Sequence, residues 1–283
     1  MKAMILTTLK EAVRKKTFLV MTILSGLYMI LWTIVVYYGS KTTGNLNNLE
    51  IKQAADQMLM QMGMQFSSMI LSLLTIMLAA GSISSEIENG MVHAIISRPI
   101  RRSSYIIGRF IGLVLLSAIY ATIMFFALLA IGTAFSLECV KFLSVSQVLL
   151  SWLLYTLVPV VLVCLTMFGS SFMKTVPNGL LVIFIYILGN IGGTLETIGT
   201  YIDNQAVSST GIFMSLLSPF NTLYNEAQNT LLSSGGIVGD LVSMSGGMSG
   251  NNQEPSTLMF LYIGIYAFAL LLISVRRFQK RDI

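Results

Sequence analysis

The sequence predicts an all-α polytopic membrane protein of six transmembrane helices, with an amphipathic helix lying at the interface ahead of the first. Three observations predict this. Of the 283 residues, 55% are hydrophobic and only 10% charged, with mean hydropathy +0.79, whereas soluble domains carry about 25% charged residues. Six charge-free windows, at 17–38, 57–85, 110–137, 142–173, 175–195 and 255–275, each reach the roughly 20 residues a helix needs to cross the hydrocarbon core. The basic residues also fall on one side. With both termini inside, 14 of the 17 Lys and Arg are inner and only Lys41, Lys52 and Lys141 are outer. That bias predicts cytoplasmic termini in a multi-pass protein of the cell (plasma or inner) membrane.

A chain that crosses a bilayer repeatedly folds its spans as one bundle, so residues 1–283 are expected to form a single transmembrane domain. The first window exceeds the apolar core of a signal peptide and no small-x-small cleavage site follows, so it is expected to be retained. The net charge of +5 lies beside apolar spans, where it orients the protein; no nucleic-acid partner is implied. Cys139 and Cys164 form no CxxC and stand in no His/Cys cluster, which points to buried, inert thiols and no metal site.

In the leader, residues 1–16, Met1, Ile5, Leu9 and Val13 recur at i, i+4, i+8 and i+12, largely away from Lys10, Arg14, Lys15 and Lys16. That pattern predicts an interfacial helix along the membrane lipid. Spans four and five are joined by a tight turn at about Lys174–Asn178, marked by Pro177. The long segment 200–254 has no Lys or Arg and is expected outside; it passes through a possible amphipathic helix, GIFMSLLSPFNTLYNEAQNTLL, before a Gly/Ser/Met-rich stretch.

Charge concentrates in residues 84–104, SSEIENGMVHAIISRPIRRSS, between spans two and three. Ser85 and Glu88 have capping-box spacing. Ile87, Met91, Ala94 and Ile95 fall on one helical face, and Pro99 disfavours helix at Arg98. Gly90 costs about 1 kcal/mol relative to Ala in a helix, which asks for a reason such as close approach of another backbone. The segment reads either as a short docking helix or as a solvated loop whose Arg101 and Arg102 only orient the spans.

The run E-x-E-x-G-M, then I-I-S-R-P-I-R-R, then G-R-F-I-G, resembles the motif of permease subunits of the type-2 export family of ABC transporters. Met91 stands where Thr is common and Arg109 where Lys is common. The leader, six spans, LLSPFNTL before span six and the basic tail RRFQKRDI extend the resemblance over the whole chain. It implies that 84–104 holds the cytoplasmic coupling helix, with Glu86, Glu88, Gly90, Met91, His93, Arg98, Pro99 and Arg102 at the interface with an ATPase. It implies a permease that is not itself an enzyme, working with two ABC ATPase subunits and a second permease, the same or related. ATP and Mg would bind the partner ATPases. In keeping with this, the chain has no G-x-x-x-x-G-K-[ST] phosphate loop; GSKTTG at 39–44 lacks Gly before Lys41.

Neither cargo nor metal is legible. No charge lies at a span centre, and Glu196 at the outer end of span five reads as a solvated interfacial carboxylate. Met58, Met60, Met62 and Met64 invite a copper site through their soft thioethers, but on a helix they alternate between opposing faces and read as flexible packing. Two other functions stay open at this point. An ion-gradient-driven secondary transporter would use buried carboxylates or helices broken at the midplane, neither of which is apparent; a nontransporting membrane assembly factor is the other.

Overall fold

The computed structural model describes residues 2–44, 49–82, 84–85, 102–141, 143–202, 204–232 and 257–279. Among them are ten helices and no strand: α1 Lys2–Arg14, α2 Lys16–Thr43, α3 Leu49–Ala80, α4 Arg102–Ala134, α5 Glu138–Lys141, α6 Val145–Ser170, α7 Thr175–Tyr201, α8 Gln205–Leu217, α9 Phe220–Leu232 and α10 Thr257–Gln279. Six of these, α2, α3, α4, α6, α7 and α10, are long and apolar enough to cross a membrane. An even number of crossings puts both termini on one face, called here the terminal face; the opposite one is the far face.

Helix α6 sits at the centre. Val158, Val161, Leu162, Val163, Cys164, Leu165 and Met167 are all buried, so its terminal half is surrounded by protein on every side. It begins with a capping box, in which the Gln147 N–H donates to Ser144 Oγ at 3.4 Å and the Ser144 N–H to Gln147 Oε1 at 3.0 Å. Helices α3 and α4 pack against it. In contrast, only 17% of the most apolar window is buried in α2 and in α10, against 61% in α3, so these two form the rim. The turn between α6 and α7 is shorter and earlier than the sequence predicts, at 171–174. Helix α7 starts before Pro177 because a helix's first turn has no N–H bond for proline to lose.

Within the long segment after span five, residues 205–232 form two helices rather than one: α8 lies along α7 with only Gly211 buried, whereas α9 is buried along Phe220, Leu223, Tyr224, Ala227 and Leu231. Gly189 of α7 faces Ser218, Gly192 faces Met214, Glu196 faces Gly211 and Gly199 faces Ser208. This register makes α8 antiparallel to α7. The contact is between backbones: a Cβ on Gly199 would stand 2.5 Å from the Ser208 nitrogen, and one on Gly192 3.0 Å from the Ser215 nitrogen. Glycine permits that approach. The chain then reverses at Ser218–Pro219, where proline removes an N–H and biases its predecessor away from helix; Ser218 is non-helical at φ −134, ψ 70. Helix α9 returns outward, its Ala227 carbonyl accepting from the Ser151 hydroxyl at 2.6 Å, and its Gln228 donating to the Gln61 carbonyl at 2.9 Å. At 1.5 Å per residue, Gly189, opposite the reversal, is about 21 Å along α7 from Thr175, about two-thirds of the way along the apolar stretch Thr175–Glu196. Carbonyls orphaned there by the break need partners. Tyr262 and Tyr266 of α10 supply them, donating to the Leu216 and Leu217 carbonyls at 2.8 and 3.1 Å.

Candidate functional site

Of the predicted interface residues, Glu86, Glu88, Gly90, Met91, His93, Arg98 and Pro99 lie outside the described residues; Arg102 opens α4. What the structure describes are the two roots between which the charged segment hangs.

The first root is the end of α3. Asn178, in the second turn of α7, is fully buried and donates from Nδ2 to the Ala80 carbonyl and to the Thr166 carbonyl, each at 3.0 Å. One amide thus holds the last residue of α3 and the last turns of α6. The Ser84 N–H donates to Ser170 Oγ at 3.0 Å, and the hydroxyls of Ser84 and Thr175 are 2.9 Å apart. The Ser85 hydroxyl donates back to the Gly81 carbonyl.

The second root is the start of α4, where α1 docks. Gly108 and Gly112, the glycines of G-R-F-I-G, form a flat strip: a Cβ on either would stand 2.9 Å from Met4 Cβ or 2.8 Å from Thr8 Cβ. The leader is a helix as its periodicity predicts, but its buried residues are Thr8 and Ala12, while Val13 is 50% exposed. The face that packs on protein, Thr8 and Ala12, lies one step around the helix from the Met1–Ile5–Leu9–Val13 stripe expected to meet lipid, and it carries small residues because close helix contact in a membrane favours them. Between the two glycines, Arg109 is buried and pairs with Glu11 of α1 at 2.9 Å. It also donates to the Tyr105 hydroxyl at 2.5 Å and lies over the Tyr105 ring. Thr8, Glu11, Leu78, Ser82 and Arg109 line one small cavity, so α1, the end of α3 and the start of α4 converge.

On the far face, Asp56 of α3 is 1% exposed and accepts from the Thr43 hydroxyl at 3.1 Å and the Glu138 N–H at 3.0 Å. This caps the short helix α5. Glu138 pairs with Lys141 at 2.8 Å and Lys52 at 3.1 Å, which hold its carboxyl below the usual range. Cys139 beside it has its thiol pushed up to about 12, first by burial and then by Asp56.

Met60 and Met64 are buried in the core, whereas Met58 and Met62 are exposed, so the sulfurs diverge as helical spacing requires. Glu196 is half-buried, with its backbone nitrogen 2.5 Å from where a Gly211 Cβ would stand. Sequence reasoning missed Asn178 and Glu11, whose partners lie about 100 residues away; no local signal marks either.

Comparison with curated proteins returned no match. The family described as "ABC-2 family transporter protein" matches residues 4–283, taking in the leader, all six spans, the G-R-F-I-G strip and the hairpin, and the chain belongs to this family of membrane transport proteins.

Proposed function

We propose that this chain is the permease subunit of an ATP-driven exporter, moving its substrate by alternating access as separate ATPase subunits close and open. The terminal face is cytoplasmic, in accord with the basic residues gathered there. Two ATPase chains, holding ATP and Mg, engage a pair of permeases, and segment 84–104 is the contact. Glu86, Glu88, Gly90, Met91, His93, Arg98, Pro99 and Arg102 are the residues proposed to meet the ATPase. The observation that carries this reading is the different anchorage of the segment's two ends. One is fastened to the α6–α7 turn through Ser84 and Asn178, the other leads into α4, on which α1 is docked through Gly108, Arg109 and Gly112. Force applied to the segment acts on two helix ends that meet beside α1 and are each fastened to a different further element, as a switching element requires. Hydrolysis belongs to the partners, and the permease contributes binding and movement.

The test is purification of the tagged chain from its native membrane. The proposal expects a nucleotide-binding ABC subunit to copurify and the complex to hydrolyse ATP. A chain that purifies without any ATPase, and whose transport persists after ATP depletion, would favour the ion-driven alternative.

A further inference from the structure

Resting on the coupling reading above, we propose that Asn178 is a positioning residue that ties the root of the coupling segment to α7, making α7 the lever that moves the hairpin α8–α9. Three observations lead there. Asn178 stands in the second turn of α7, yet its amide is spent on two other spans, on the Ala80 carbonyl of α3 and the Thr166 carbonyl of α6. Ala80 is the last residue of α3, six residues ahead of Glu86, the first predicted contact residue, so displacement of the segment is passed to this carbonyl through the short stretch that Ser84 also anchors. The Ser84 and Thr175 hydroxyls, 2.9 Å apart, form a second tie between the same two elements.

The energetics of this amide favour position over stability. Asn178 Oδ1 is buried and has no hydrogen-bond partner, and a half-satisfied buried amide contributes little net stability. Its distinguishing property is that it fixes the distance between three helix ends.

From Asn178 the route continues through rigid backbone. Helix α7 runs without interruption from Thr175 to Tyr201, about 40 Å at 1.5 Å per residue. In its far half, Gly192 and Gly199 touch the backbone of α8 directly, with no side chain between to absorb a shift. Movement of α7 is transferred to α8, and through the two-residue link at Ser218–Pro219 to α9, which contacts the far end of α3 through Gln57 and Gln61. The hairpin is then the element that opens or closes the far face when the ATPase acts on the terminal face.

The copurified complex in nanodiscs tests this through hydrogen exchange with and without ATP plus vanadate. In the wild type, exchange is expected to change both at residues 80–85 and at 205–232. In Asn178→Ala, the response at 80–85 should remain while that at 205–232 falls at least about fivefold. A purely structural role would alter exchange without nucleotide and leave the response to it intact. Full retention of the 205–232 response in Asn178→Ala overturns the proposal. Should that variant fail to assemble, Ser84→Ala with Thr175→Val removes the second tie at nearly constant volume, and an unchanged response there overturns it equally. If the wild-type complex responds at neither region, the coupling reading itself falls.

Discussion

The Arg109 guanidinium lies 2.9 Å from the Glu11 carboxylate and joins the start of span three to the leader across 98 residues of sequence. The pair is unequal: the Arg109 side chain is 8% exposed and that of Glu11 52%. Removing Glu11 takes one carboxylate from a buried cation, whereas removing Arg109 leaves a half-exposed carboxylate that water can solvate. Glu11→Ala should therefore destabilise more than Arg109→Met, by on the order of 1 kcal/mol once the exposed end is discounted. Thermal unfolding of the two variants in detergent measures the difference, and the reverse order contradicts the arrangement.

Gly112 is expected to tolerate no bulk. A Cβ there already stands 2.8 Å from Thr8 Cβ, so Gly112→Leu should displace α1 at a cost of about 1–3 kcal/mol from overpacking. A cysteine placed at Thr8, which is 7% exposed, should react slowly with a maleimide in the native background and rapidly beside Gly112→Leu. Equal rates would show that α1 does not dock on this strip.

The far-face cluster predicts an acid dependence. Lys141 first and Lys52 second hold the Glu138 carboxyl below its ordinary value of 4.5. A carboxyl depressed in the fold contributes stability that is present above that ordinary value and is lost as pH falls below it towards the lowered one. The stability difference between wild type and Glu138→Gln should thus stay constant from neutrality down to about pH 5.5 and shrink below about 4.5. A difference that is unchanged at lower pH would show that the lysines do not act on this carboxylate.

Cys139 should be inert. With its thiol pushed up to about 12, only on the order of one molecule in ten thousand is thiolate at pH 8. A maleimide should modify Ser146→Cys, at an exposed position two residues beyond the loop, and leave Cys139 unlabelled over the same interval. Comparable labelling of both would show that α5 does not lay this thiol against the Asp56 carbonyl of α3.

The six spans were legible because long charge-free runs leave the backbone no alternative in a bilayer but to satisfy its hydrogen bonds within each helix. The G-R-F-I-G strip was legible as a family motif, although its physical role, a bed for Met4 and Thr8, emerges only with both helices in place. The protein-facing side of the leader was not legible because Thr8 and Ala12 are not the apolar residues that periodicity selects; close approach selects small ones. The hairpin was hidden for a related reason. Helices α8 and α9 have 13 residues each, too short to span, and their position depends on Gly192, Gly199 and Gly211 meeting backbone across the chain. Asn178 carries no local sign of its contact with Ala80, since one polar residue after a proline reads as a turn.

The central claim is that segment 84–104 couples this permease to an ATPase, and reversal of its charge tests it most directly. Glu86→Lys with Glu88→Lys opposes whatever complementary charge the partner presents, while Gly90→Leu blocks close packing; neither lies in a predicted span. Both variants should reach the membrane. The account predicts that each then loses the copurifying ATPase, or keeps it with ATP hydrolysis uncoupled from transport. If both retain the ATPase and transport at the wild-type rate, the charge in this segment only orients the spans, and the coupling account is wrong.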